Sequence, residues 1–175
     1  MKIVWILMVV MALITTKAGA SDSHKDDSDS RCGNRKSFVR SDQLTILALT
    51  ADQRLVSFRE CNPTRARDIG SVYGLQAPDT MLVGIDFRVQ DGQLYGVGNG
   101  GGIYTIDTYT AVATLAQNLT VGLDGYFFGV DFNPAANALR IISNTGQNLR
   151  QPFAGPLAGM TQPDATLNYV GPPAV

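Results

Sequence analysis

The chain has 175 residues, a formal net charge of −1 at pH 7, two cysteines and a single histidine. That near-neutral balance, with basic residues scattered and little aromatic interleaving, gives no footprint for nucleic acid. So few Cys and His residues cannot build the clusters of a zinc site, and the one histidine, His24, falls in a polar leader.

The N-terminus reads as a secretion signal. Lys2 supplies the positive end, Ile3 to Ile14 is an unbroken run of 12 apolar residues, and Ala18-Gly19-Ala20 is the small-residue cleavage site. Cleavage between Ala20 and Ser21 is expected. Twelve helical residues would span about 18 Å, short of the ~30 Å of a bilayer core, so an uncleaved anchor is the lesser reading. No later segment is suited to cross a membrane. The mature protein is expected to be soluble and exported, either secreted or periplasmic.

Residues 21–30, SDSHKDDSDS, hold four Asp, four Ser and no apolar side chain, so they read as a disordered acidic leader, a spacer. The body then runs from residue 31 to 175. Its first part, 31–67, carries eight basic and three acidic residues, and 68–175 carries three and eight. Such asymmetry suits an acidic partner or attraction between the two halves. In an exported chain Cys32 and Cys61 are expected to form a disulfide, with two separate thiols as the alternative. A loop of about 30 residues closed this way contributes roughly 3 to 4 kcal/mol.

Further along, strands and turns alternate. Leu44–Leu49 and Leu55–Phe58 flank an Ala-Asp-Gln turn at 51–53. LVGIDF at 82–87, LYGV at 94–97, IYTID at 103–107 and AVATLA at 111–116 are short and rich in β-branched and aromatic residues. LVGIDF then returns 45 residues later as FFGVDF at 127–132. At the same offset Asp91-Gly92-Gln93-Leu94 falls on Ala136-Asn137-Ala138-Leu139, and Gly98-Asn99-Gly100-Gly101 falls on Ser143-Asn144-Thr145-Gly146. Gly and Asn recur there because tight hairpins need positive φ. A last strand is expected at Leu167–Val170.

One repeat is therefore about four short antiparallel strands, the content of a propeller blade. The predicted fold is all-β, a propeller-like array of about three four-stranded blades. Three blades are fewer than the four of a closed ring, which leaves a fragment, an open partial ring or an assembly of copies. An array incomplete at its C-terminus is the expectation carried forward.

ALTADQRLVSF, LVGIDFRVQDGQLYGVG, IYTIDTYTAVAT, FFGVDFNPAANALRIISNTGQNLR and LNYV together resemble the secreted domain-of-unknown-function family 4394, over about residues 44–170. The resemblance implies a propeller-like exported protein, usually longer at its C-terminal end. It implies no established activity, so no catalytic residue is carried over.

Several stretches are candidates for chemistry. GVGNGGG, 96–102, has G-x-G-x-x-G spacing but leads into IYTID, a strand, whereas a dinucleotide loop must open a helix. A hairpin turn is the better reading. Asp86 and Asp131 are possible Ca²⁺ ligands lining a channel, or structural pegs accepting backbone hydrogen bonds. Repetition favours the pegs, because a catalytic site needs one copy only. Asn144, Gln147, Asn148 and Arg150 crowd one hairpin and could bind a sugar or a carboxylate, though the turn itself also explains them. There is no G-x-S-x-G elbow. Asn118-Leu119-Thr120 is a glycosylation sequon, meaningful in a eukaryotic host.

Two functions follow. The favoured one is a non-enzymatic secreted binding protein for a glycan, surface polymer or protein, with no cofactor and with self-association if blades are missing. The alternative is a Ca²⁺-dependent hydrolase or lyase using Asp86 and Asp131.

Overall fold

Turns at fixed offsets set the architecture. A computed structural model describes residues 44–168, together with the backbone of Val9 and Val10. The expected cleavage site at Ala20 and Ser21, the acidic leader and Cys32 lie outside the described residues. Positive φ occurs at Gly92 and again at Asn137, at Gly101 and again at Gly146, each pair 45 residues apart. The same hairpins are thus built twice, with residues that tolerate the left-handed region.

Among the described residues twelve strands follow: β1 (Val9–Val10), β2 (Thr45–Leu49), β3 (Arg54–Arg59), β4 (Asn62–Ser71), β5 (Leu82–Arg88), β6 (Gln93–Gly98), β7 (Gly102–Ile106), β8 (Ala113–Asn118), β9 (Phe128–Asn133), β10 (Ala138–Ser143), β11 (Asn148–Pro152) and β12 (Gln162–Pro163). They form three antiparallel meanders, β1 to β4, β5 to β8 and β9 to β12. No helix occurs among the described residues. The described residues form an open, propeller-like array of three sheets.

Some edges differ from expectation. β8 starts at Ala113 because Asp107 accepts hydrogen bonds from the amides of Tyr109 and Thr110, at 2.8 Å each, and holds a turn through Ala111. β4 runs through NPTRARDIGS, where no apolar alternation marks a strand, and it carries Pro63. As the last strand of its sheet, β4 needs ladder partners on one side only, so an edge proline and charged side chains are tolerated. Leu167 and Asn168 are in no strand, and the rest of that expected element lies outside the described residues.

Alternation along each strand produces two cores. Leu47 and Leu55 of the first sheet meet Leu82, Ile85, Leu94 and Tyr104 of the second. Tyr95, Val97 and Ile103, on the second sheet's other face, meet Val130, Phe132, Leu139, Ile141 and Leu149 of the third. Each sheet is thus stable against a neighbour rather than alone. The rings of Tyr95, Phe132 and Phe153 meet edge to face, with centroids 5.1 to 5.4 Å apart. The Arg88 guanidinium lies 5.1 Å from the Phe153 centroid and donates to Asn137 Oδ1 at 3.0 Å, a second clasp between the same sheets.

Backbone pegs complete each interface. Gln53, in the β2–β3 turn, accepts from the Leu82 amide at 2.7 Å and donates to the Leu82 carbonyl at 3.1 Å. Asp86 Oδ2 accepts from the Phe132 amide at 2.6 Å, while Oδ1 accepts from the Phe87 amide at 2.7 Å. Gly84 makes room for this closeness, since a Cβ there would strike the Val130 side chain at 2.6 Å.

Candidate binding groove at the loop end of the sheets

The β4–β5 and β8–β9 connections and the β2–β3 and β6–β7 turns gather at one end of the array. Between them lies a groove of about 500 Å³ lined by Gln53, Met81, Asn99, Tyr126, Phe127 and Phe128, among others. Its rim is aromatic and open: Tyr126 is 88% exposed and Phe127 63%. Large exposed aromatics beside a concavity are costly to leave in water and mark contact surfaces.

Side chains from neighbouring turns hold this rim in place. Asn144 Oδ1 accepts from the amides of Tyr126 and Phe127, at 2.9 and 3.1 Å. Gln147 accepts from the Asp124 amide at 2.9 Å and donates to the Gly122 carbonyl at 2.8 Å. In the preceding repeat Asn99 Oδ1 does the same for Thr80 and Met81, at 2.8 and 3.2 Å. Asn144 and Gln147 therefore position the loop that bears the aromatics. Asn148 and Arg150 lie elsewhere, on the outer face of the third sheet. There Asn148 Oδ1 and Asp164 Oδ2 each accept from Arg140 Nη1 at 2.6 Å, and Asp164 Oδ1 accepts from Arg150 at 3.2 Å. The structure splits the four predicted residues between two places, and Arg150 Nε is buried without a hydrogen-bond partner.

Asp86 has both carboxylate oxygens turned to backbone amides, as given above. Burial pushes its carboxyl above the usual range, the amides of Phe132 and Phe87 pull it back, and nearby Asp131 adds to the rise. Asp131 itself is exposed. Among the described residues no group of three or more His, Cys, Asp or Glu side chains is placed to hold a metal ion.

The glycine-rich stretch GVGNGGG forms the β6–β7 hairpin and serves an internal anion. Asp79, 7% exposed, accepts from the amide of Gly100, from that of Gly102 at 3.1 Å and from the Tyr104 hydroxyl at 2.6 Å. A Cβ at Gly98 or Gly102 would fall on the Asp79 carboxylate, so the glycines are spaced to let it in. Burial raises the Tyr104 pKa and the hydrogen bond to Asp79 raises it further. Like a phosphate-binding loop, the hairpin offers amides to a negative charge, but the charge is supplied by the chain.

Sequence reasoning missed Tyr126, Phe127, Met81 and Asp79. The signal for the first two was present: GYFF at 125–128 stands where the earlier repeat has TMLV at 80–83, an excess of aromatic surface. Asp79 had no such mark, because the glycines that define its role are about twenty residues away. Cys61 sits at the β3–β4 turn, and its expected partner lies outside the described residues.

Repeated four-stranded meanders, pegged to one another through Gln53 and Asp86 and with a groove at the loop end, define a β-propeller-like repeat protein. The chain belongs to the DUF4394 family, a domain of unknown function whose family model matches residues 54–174. No curated protein and no solved structure matches it. No helix among the described residues is long and apolar enough to cross a membrane.

Proposed function

We propose that the protein is an exported, non-enzymatic binding protein that takes its ligand in the groove beneath Tyr126 and Phe127. The observation that carries this reading is the pairing of exposure with rigidity. Tyr126 is 88% exposed, yet its backbone and that of Phe127 are tied down by Asn144. A rim fixed before binding loses little conformational freedom on contact. Exposed aromatic faces suit the apolar ring faces of a glycan or a surface polysaccharide.

Titration with a panel of neutral oligosaccharides by calorimetry tests the proposal. Tyr126→Ala and Phe127→Ala are each expected to weaken binding about tenfold or more, in line with loss of a contact anchor, with unchanged melting temperature. Affinity for a panel member that survives both substitutions would sink the groove reading. Export also implies loss of residues 1–20, which takes β1 away and leaves the first sheet as β2 to β4, and a Cys32–Cys61 bridge. Intact mass with and without reductant on protein recovered outside the cytoplasm tests both.

A further inference from the structure

The hairpin between β6 and β7 carries the chain's only Asn-Gly pair, Asn99-Gly100. That dipeptide is the one most prone to self-modification, because glycine has no side chain to shield its amide nitrogen from the preceding carboxamide. In the reaction the Gly100 nitrogen gives up its proton and attacks Asn99 Cγ. The new N–Cγ bond forms as Cγ–Nδ2 breaks, ammonia carries the proton away, and a succinimide ring remains. Water then opens the ring at one carbonyl to give aspartate, or at the other to give isoaspartate, in which the main chain runs through the side chain.

Both reacting groups are engaged in this fold. The Gly100 amide donates to the buried carboxylate of Asp79, which is itself fixed by the Gly102 amide at 3.1 Å and the Tyr104 hydroxyl at 2.6 Å. A nitrogen anion at Gly100 would lie against that carboxylate, and like charges disfavour it. The Asn99 carboxamide is held as well. Its Oδ1 accepts from the Thr80 and Met81 amides at 2.8 and 3.2 Å, and its Nδ2 donates to the Thr80 hydroxyl at 3.1 Å.

The next repeat supplies a comparison. At the 45-residue offset Asn99 falls on Asn144, Gly100 on Thr145 and Asp79 on Asp124. Asn144 grips two backbone amides in the same way. There the β-branched Thr145 shields its own amide. Asp124 is exposed and accepts from the Thr145 hydroxyl at 3.1 Å, not from the Thr145 amide. A buried carboxylate thus covers the amide where glycine leaves it bare, and not where threonine shields it.

We propose that Asn99 is a latent self-modification site kept closed by Asp79, and that conversion there unlatches the loop beside the groove. Asn99 lines that groove, and no charged side chain does. Aspartate at this position brings a negative charge to the wall and loses the donor that the Thr80 hydroxyl accepts. Isoaspartate lengthens a hairpin in which the Asn99 amide donates to the Met81 carbonyl at 2.9 Å. Any effect on ligand binding rests on the groove reading above; the conversion itself does not.

Incubation of the purified protein at mildly alkaline pH tests this, with peptide mapping by mass at Asn99 and a methyltransferase assay for isoaspartate. Wild type should convert at least about tenfold more slowly than a synthetic peptide of residues 96–102, the ratio that a charge-assisted hydrogen bond sustains. Asp79→Ala should convert at least about tenfold faster than wild type. Leu139→Ala, weakened in the core with Asp79 in place, should keep the wild-type rate, which separates the guard from general loosening. If Asp79→Ala does not fold, the peptide comparison decides alone. In converted protein the Thr80 and Met81 amides should exchange at least about tenfold faster, and unchanged exchange would overturn the unlatching. Wild type as fast as the peptide, equal acceleration by both variants, or Asp79→Ala no faster than wild type would each overturn the guard.

Discussion

Asp79 and Asp86 show how one residue type stitches backbone to backbone here. Each buries a carboxylate against amides that no strand ladder satisfies, and a charge-assisted bond of this kind is worth more than a neutral one. Asp79→Asn keeps the shape but removes the charge and leaves an amide group facing amide donors. A loss of about 1.5 to 3 kcal/mol is expected, read as a lower urea midpoint. Gly98→Ala should cost a comparable amount, since its Cβ would occupy the carboxylate's place. If both variants melt like wild type, the cradle is not what holds the β6–β7 hairpin. The repeat made Asp86 visible in the sequence. Nothing local could reveal Asp79, because its meaning depends on a hairpin that closes around it from a distance.

Among the strands, β12 is the most conditional. It is two residues long, and Asp164 just after it is held by Arg140 and Arg150. The Arg140 hydrogen bond keeps the Asp164 carboxyl below its usual range, against the opposing effect of burial and with help from the Arg150 charge. A lowered carboxylate pKa adds stability that is present above the unfolded value, about 3.9, and is lost as pH falls through the folded value. Asp86 works with the opposite sign, its raised pKa making ionisation a cost as pH rises. Amide exchange across residues 160–164, corrected for intrinsic rates, should therefore accelerate below about pH 4 ahead of the rest of the third sheet. Uniform protection down to pH 2 would mean that β12 does not depend on this clasp. Strands such as β5, β6 and β9 were legible because their apolar residues and flanking turns are local. β4 and β12 were not, since edge strands borrow order from their neighbours and need no pattern of their own.

Taken together, the three sheets unfold as one body only if both cores couple them. Leu139, fully buried, lies at the centre of the contact between the second and third sheets. Leu139→Ala is expected to cost about 2 to 5 kcal/mol by loss of packing and creation of a cavity. Denaturation followed by circular dichroism and by exchange should keep a single midpoint. Two separated midpoints would show that the sheets fold independently. The all-β, propeller-like class was readable because a 45-residue echo can hardly mean anything but stacked units. The groove was not readable from the polar residues that drew attention, Asn144 and Gln147, because their side chains point to the backbone they support. Position in the fold, rather than residue type, separates a ligand contact from its scaffold.

The ring cluster of Tyr95, Phe132 and Phe153 has an optical consequence. The chain's sole tryptophan is Trp5. With the segment ahead of Ser21 lost, as proposed above, the aromatic part of the near-ultraviolet spectrum comes from tyrosine and phenylalanine. Because the cluster draws one ring from the second sheet and two from the third, its dichroic band becomes a built-in gauge of whether those layers touch, readable without dye or label.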